Sequence, residues 1–354
     1  MVISIAVLDD YQGLAPTYFD KLDPSSFNVK YFPDTLRPYN HAETPETTKH
    51  ALIKRLESFD VIATMRERTP FPRELIDRLP RLKLLLSCGS RNKAIDMEIC
   101  RDRGIPVTAT EDRKMGPVDS TSEHAVAMIL AGCRNIPQND AAVKAGQWQT
   151  SFVTAISGKT LGLVGLGRLG ASVARIMSVA FGMKIIAWSS NLTQDAADEQ
   201  AKAQGLPVES AGGEKTFKAV SREELFRTAD VVSVHLVLSD RSRGLVTAND
   251  LCEMKPSSFF VNTSRGPLVV EQDLLGVLRA GKIRGAALDV FDLEPLPADS
   301  EWRSSEWGQN GKSQVLVTPH VAYVEEHLIK GFYEQQVEDV LRWSEGKELK
   351  RTMY

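Results

Sequence analysis

Leu161-Gly162-Leu163-Val164-Gly165-Leu166-Gly167-Arg168-Leu169-Gly170 is the stretch on which the reading of this chain turns. An apolar run ends in Gly165-Leu166-Gly167-Arg168-Leu169-Gly170, and an apolar helical pattern follows at Val173, Ile176, Met177 and Ala180. Strand, glycine turn and helix in that order are the context in which G-x-G-x-x-G signals a dinucleotide site. Gly165 permits the tight turn, Gly167 lets backbone amides approach a pyrophosphate, and Gly170 lets helix and strand pack closely. The helix N-terminus adds free N–H groups and a positive dipole end. Arg168 and Leu169, inside the turn, are counted with the site. The spacing alone is weak, because glycine turns are common; the flanking strand and helix make it specific.

The chain has 354 residues, too many for one ordinary core and suited to two domains. Its 42% hydrophobic and 25% charged residues are those of a soluble globular protein. A net charge of −3 gives no electrostatic footprint for nucleic acid or an anionic membrane. No apolar run reaches transmembrane length, and Val2–Leu8 runs straight into Asp9 and Asp10, unlike a signal peptide. Cys88, Cys100, Cys133 and Cys252 are scattered without C-x-x-C spacing. They read as reduced thiols of a cytoplasmic protein, with no metal site.

Apolar strands alternate with helical patterns, which argues for α/β units around parallel sheets. The first region offers strands at Val2–Leu8, Val61–Met65, Lys83–Ser87 and Val107–Thr108, with a helix at Arg73–Arg78. A helix over Ser122–Asn135, started by Ser120-Thr121-Ser122-Glu123, bridges into a second region. That region offers strands at Thr160–Val164, Lys184–Trp188, Val231–His235, Ser258–Asn262, Arg284–Asp289 and Gln314–Thr318. A helix at Glu271–Ala280 ends at Gly281. Gln194–Lys218 and Pro297–Lys312 read as surface loops. Glu325–Glu345 is a long amphipathic helix expected to pack back on the first region, making that domain discontinuous: 1–118 with 325–354, around 119–324.

In an open parallel sheet, ligands bind outside the carboxyl ends of the strands. Arg265 follows Ser258–Asn262, Glu294 follows Arg284–Asp289, and His320 follows Gln314–Thr318. The rule places all three on the rim that carries the Gly165 turn. A lone arginine there is usually a surface charge and a lone histidine a solvated or core residue; together the three suit hydride transfer to a 2-keto acid. A guanidinium binds the carboxylate and polarises the carbonyl. An imidazolium supplies the proton the new alkoxide needs. A carboxylate beside a histidine fixes its ring and favours its charged form.

With those residues in view, the chain resembles the D-isomer-specific 2-hydroxyacid dehydrogenase family over nearly its whole length. The resemblance rests on Gly162–Gly170, Ala229–Leu238, Phe260–Gly266, Gly285–Pro295 and Thr318–His320. It implies two Rossmann-like or flavodoxin-like α/β domains with parallel sheets, the cofactor domain inserted into a discontinuous substrate domain that closes over it. It implies a homodimer built through the cofactor domains. It puts the catalytic arginine, glutamate and histidine on Arg265, Glu294 and His320. Asp289 falls on the aspartate that holds the nicotinamide carboxamide, with capping of local backbone as its competing role. Thr263 and the loop His235-Leu236-Val237 fall with the cofactor residues, the His235 ring itself being structural. His124 reads as a packing or dimer-contact residue. In Ser87-Cys88-Gly89-Ser90-Arg91-Asn92, the amides of Gly89 and Ser90 would hold the substrate carboxylate, with Asp96 a helix cap. Arg66 is a further substrate candidate, Arg68 its alternative, and a surface salt bridge the plain reading of either.

NAD-selective sites place an acid at the end of the second strand. Here that position runs Ser189-Ser190-Asn191-Leu192-Thr193, with no acid before Asp195. The missing carboxylate favours NADP(H), with hydroxyl and amide donors available for its extra phosphate and NAD(H) still open. The expected reaction is reduction of a small 2-keto acid of the glyoxylate or hydroxypyruvate kind. Two rivals share the fold. Formate dehydrogenase has glutamine where Glu294 stands, and an NAD(H)-sensing corepressor would carry a basic patch or long tail that this sequence does not show.

Overall fold

Ile3–Leu8 (β1) ends in four consecutive buried residues, as a central parallel strand with both faces covered must. The computed structural model describes residues 2–111 and 116–354. These divide into two units, Met1–Met115 with Leu293–Pro295 and Val324–Tyr354, and Gly116–Asp292 with Leu296–Tyr323.

The first unit alternates β1, α1 (Pro16–Phe19), β2 (Phe27–Phe32), α2 (Glu46–Leu56), β3 (Val61–Ala63), α3 (Arg73–Ile76), β4 (Leu84–Leu86), α4 (Met97–Asp102) and β5 (Val107–Thr108). Its five strands run parallel in the order β2-β1-β3-β4-β5. β2 is a strand the sequence reading did not assign. Polar Asn28 and Lys30 interrupt its apolar residues, which an edge position tolerates. Asp96 caps α4, accepting from the amides of Glu98 and Ile99.

The second unit opens with α5 (Ser120–Cys133) and α6 (Ile136–Lys144), then β6 (Thr160–Val164), α7 (Arg168–Phe181), β7 (Lys184–Trp188), α8 (Gln194–Ala203) and β8 (Phe217–Ala219). It continues through α9 (Arg222–Thr228), β9 (Val231–Val234), α10 (Ala248–Glu253), β10 (Phe259–Asn262), α11 (Glu271–Arg279), β11 (Gly285–Leu288) and β12 (Gln314–Val317). The seven strands run parallel in the order β12-β11-β10-β9-β6-β7-β8. One face is covered by α5, α7 and α8, with Met128, Ile129, Ala174 and Met177 in that core. The other is covered by α9, α10 and α11, with Leu225, Leu251 and Leu278. The strand order reverses between β6 and β9, so the Gly165 turn stands at the topological switch point.

Two stretches read as surface loops are structured. Residues 194–218 hold α8, capped by the Thr193 hydroxyl and burying Ala197 and Ala201, and lead into edge strand β8. Residues 297–312 hold a 3₁₀ turn at Glu301–Arg303 that buries Trp302, whose ring stacks on Trp307. In both, small or isolated apolar residues carry the burial, and periodicity does not register them.

The chain returns to the first unit with α12 (Glu326–Ser344). It buries Ile329, Phe332, Tyr333 and Val340. The Tyr333 hydroxyl donates to Asp10 at 3.0 Å, and the Gln336 amide to the Thr64 carbonyl at 3.1 Å.

Candidate active site

The glycine turn has a separate steric reason at each position. Gly165 lies at φ +106°, and a Cβ there would stand 2.9 Å from the His235 carbonyl carbon. At Gly170 a Cβ would meet the Gly165 carbonyl oxygen at 2.3 Å. Gly167, the N-cap of α7, has open space where its side chain would be, and no side chain caps the helix. The amides of α7 therefore face outward at a positive helix end, which fits the phosphates of a dinucleotide. Leu169 is half-buried, and Arg168 pairs with Asp119 at 2.8 Å.

At the end of β7, Ser189 is half-buried and Ser190 and Asn191 are exposed. The Thr193 hydroxyl caps α8 by accepting from the Ala196 amide at 3.2 Å, which leaves its O–H as a candidate phosphate donor. The fold brings in a cation that sequence spacing could not show. The Arg222 guanidinium lies 5.3 Å from the Trp188 ring centre, one residue before Ser189, and is held by two bonds to Asp250.

In the loop after β9, the His235 amide donates to the Val164 carbonyl at 2.8 Å, and its ring Nε2 lies 2.9 Å from the Ser233 hydroxyl. Burial pushes the His235 pKa down to about 4, so the ring is neutral at physiological pH. Leu236 is half-buried and Val237 exposed.

Arg265 leaves β10 through a stapled loop. The buried Asn262 side chain donates to the Arg265 carbonyl at 3.0 Å and accepts from the Ser264 amide at 3.1 Å. Gly266 lies directly under the backbone of Phe291, where a Cβ would fall 2.0 Å from its carbonyl carbon. Thr263 is buried in the same loop. Asn262 is a residue whose positioning role the sequence did not disclose.

Asp289 follows β11 and is 0% exposed. Oδ1 accepts from the Thr318 hydroxyl at 2.6 Å and the Val321 amide at 2.9 Å, and Oδ2 from the Ala322 amide at 3.2 Å. Its carboxylate thus caps the backbone that carries His320. Burial works to raise its pKa, but hydrogen bonds from His124, Thr318 and Val321 outweigh that and hold it below the usual carboxylate value. His320 adopts φ +52°, and its ring meets Tyr323 edge-on at 5.9 Å between centres.

In the first unit, Glu294 Oε2 accepts from Arg68 at 2.9 Å, both side chains being largely buried. The Gly89 amide donates to the Thr110 hydroxyl at 2.7 Å, so it is engaged within its own unit. Arg66 lies against Gly89, where its Nη1 would be 2.3 Å from an added Cβ. The Arg66 carbonyl accepts from the Asn92 amide group at 2.8 Å. Ser90 is exposed. Asp9, overlooked in the sequence, is buried after β1 between the Thr35 and Thr69 hydroxyls. Burial raises its pKa to about 6.

Among the described residues, no group of three or more His, Cys, Asp or Glu side chains is placed to hold a metal ion, and no helix is long and apolar enough to cross a membrane.

The model of the D-isomer specific 2-hydroxyacid dehydrogenase NAD-binding domain matches residues 126–322. The chain belongs to that family. As a D-isomer specific 2-hydroxyacid dehydrogenase it is an oxidoreductase on CH–OH donors that uses a nicotinamide cofactor. It is 25% identical to hydroxypyruvate reductase of Blautia hydrogenotrophica, over 86% of this chain and 88% of that protein. It is 32% identical to D-3-phosphoglycerate dehydrogenase of Methanocaldococcus jannaschii over 83% of this chain, and spans 52% of that longer protein. Its fold is similar to a phosphoglycerate oxidoreductase structure from Vibrio cholerae, with a TM-score of 0.79, 32% identity, and coverage of 98% of this dehydrogenase and 100% of that chain.

Proposed function

We propose that this dehydrogenase reduces the C2 carbonyl of a small 2-keto acid of the glyoxylate or hydroxypyruvate kind, with NADP(H) preferred and NAD(H) usable. One observation carries the reading: Arg265 and His320 leave β10 and β12 on the carboxyl edge that also bears the Gly165 turn, within one unit. Gly165, Gly167 and Gly170 with the first amides of α7 would hold the pyrophosphate, and the His235–Val237 loop and Thr263 would line the rest of the cofactor site. When bound, the nicotinamide supplies the hydride. Arg265 binds the substrate carboxylate and polarises the keto oxygen through paired hydrogen bonds. His320 supplies the proton to the oxygen as negative charge develops there. Glu294 keeps the orienting role that the family resemblance gives it, with Arg68 holding its carboxylate in place. Arg66 and the Ser90 amide are the substrate-binding groups of the first unit; the Gly89 amide already has its partner.

The cofactor preference is supported by the absence of a carboxylate at 189–193 and by the Arg222 guanidinium beside Trp188. A homodimer and a cytoplasmic setting complete the reading, supported respectively by the apolar exposure after α5 and by four cysteines that form no disulfide.

Following nicotinamide absorbance with NADPH and NADH against a panel of 2-keto acids tests the assignment. NADPH oxidation by glyoxylate or hydroxypyruvate is expected, and no oxidation with any keto acid would refute it. His320→Asn, chosen because asparagine tolerates a left-handed backbone, should lower kcat by roughly 10²- to 10⁴-fold with cofactor affinity unchanged.

A further inference from the structure

His124 lies on α5, on the same face as Met128 one turn later, and its side chain is 19% exposed. Its Nε2 reaches two groups at once, the Thr318 hydroxyl at 3.2 Å and Asp289 Oδ1 at 3.3 Å. β11 and β12 pair with Leu288 opposite Val317, so Asp289 and Thr318 are the next residues in register. The Thr318 hydroxyl has one proton and gives it to Asp289 at 2.6 Å. His124 Nε2 must therefore carry hydrogen and act as a donor to the pair. In the other tautomer its lone pair would face the oxygens of both.

A fully buried carboxylate has to be matched by donors, and the loss of one is felt by the others. Here those others are the amides of Val321 and Ala322, the residues directly after His320. His320 sits at φ +52°, a conformation that an L-residue keeps only where its neighbours over-determine it. We propose that His124, acting through Thr318 and Asp289, is a positioning residue for His320: it saturates the carboxylate that clamps the backbone on the far side of the proton donor. The catalytic part of this inference rests on the function proposed above. The structural part does not.

The test uses the whole protein with His124→Ala, His124→Gln and Thr318→Val. Deuterium uptake over residues 318–324, read without substrate or cofactor, should rise in His124→Ala and Thr318→Val. It should return toward wild type in His124→Gln, whose side-chain amide can donate. In turnover, His124→Ala should lose roughly 10- to 100-fold in kcat with KM and cofactor affinity within about 3-fold, again restored by glutamine. Unchanged uptake over 318–324 in His124→Ala overturns the proposal. Equal loss of kcat and melting temperature in the alanine and glutamine variants also overturns it, because that is the signature of packing. Failure of the reductase reading looks different: wild type would be inactive while the uptake response persists.

Discussion

At the scale of single residues, Gly266 makes the sharpest demand. A methyl group there would overlap the Phe291 carbonyl group, with carbon at 2.0 Å and oxygen at 2.1 Å. Backbone cannot rotate away as a side chain can. Gly266→Ala is expected to cost about 1–3 kcal/mol in denaturant unfolding and to raise KM for the keto acid by displacing Arg265. A variant with wild-type stability and KM would show that the loop absorbs the methyl group freely. The glycine positions were legible because steric need follows from a local motif. The availability of the Gly89 amide was not: Thr110, which occupies it, lies beyond two further elements and arrives only when β5 pairs with β4. The same holds for Arg222, whose approach to Trp188 depends on β8 and α9 being in place. Residues that meet through the sheet leave no mark in sequence spacing.

At the scale of elements, legibility followed apolar pattern. β6, β7 and β9 through β12 read directly, being short apolar runs bounded by turn residues. α8 did not, because alanines supply its buried face and charges fill the remainder. β2 did not, because an edge strand keeps polar residues. The segment from α6 onward presents the opposite case, apolar side chains left more than half exposed among the described residues. Ile136, Val143, Trp148 and Phe152 are 58%, 55%, 76% and 94% exposed. Exposed apolar area of this kind marks an interface, and the proposed homodimer would bury it. Trp148→Glu combined with Phe152→Glu should sediment as a monomer where wild type sediments as a dimer. A wild-type monomer at micromolar concentration would remove the dimer from the reading.

At the scale of the whole molecule, Asp9 and Asp339 of the first unit respond to acid in the opposite direction to His235 of the second. In the first, burial pushes Asp9 and Asp339 each up to about 6. Their folded forms bind a proton more readily than the unfolded chain does, so they add stability below about pH 4 that is lost as pH rises through 6. In the second, burial pushes His235 down to about 4. Its stabilising effect is present above about pH 6.5 and is lost as pH falls through 4. Between pH 7 and 5, the melting temperature of wild type should gain on that of Asp9→Asn and fall relative to that of His235→Gln. Differences that stay constant with pH would show that neither buried group changes its proton binding on folding. The path of the chain has a separate bearing on how the protein is made. The first unit supplies residues up to 115 and then waits for α12, whose Phe332, Tyr333 and Val340 complete its core. Every residue of the second unit leaves the ribosome before that helix does. The domain that is synthesised first is therefore the last able to fold, and for most of translation its strands stand open to chaperones and proteases while the later domain can already close.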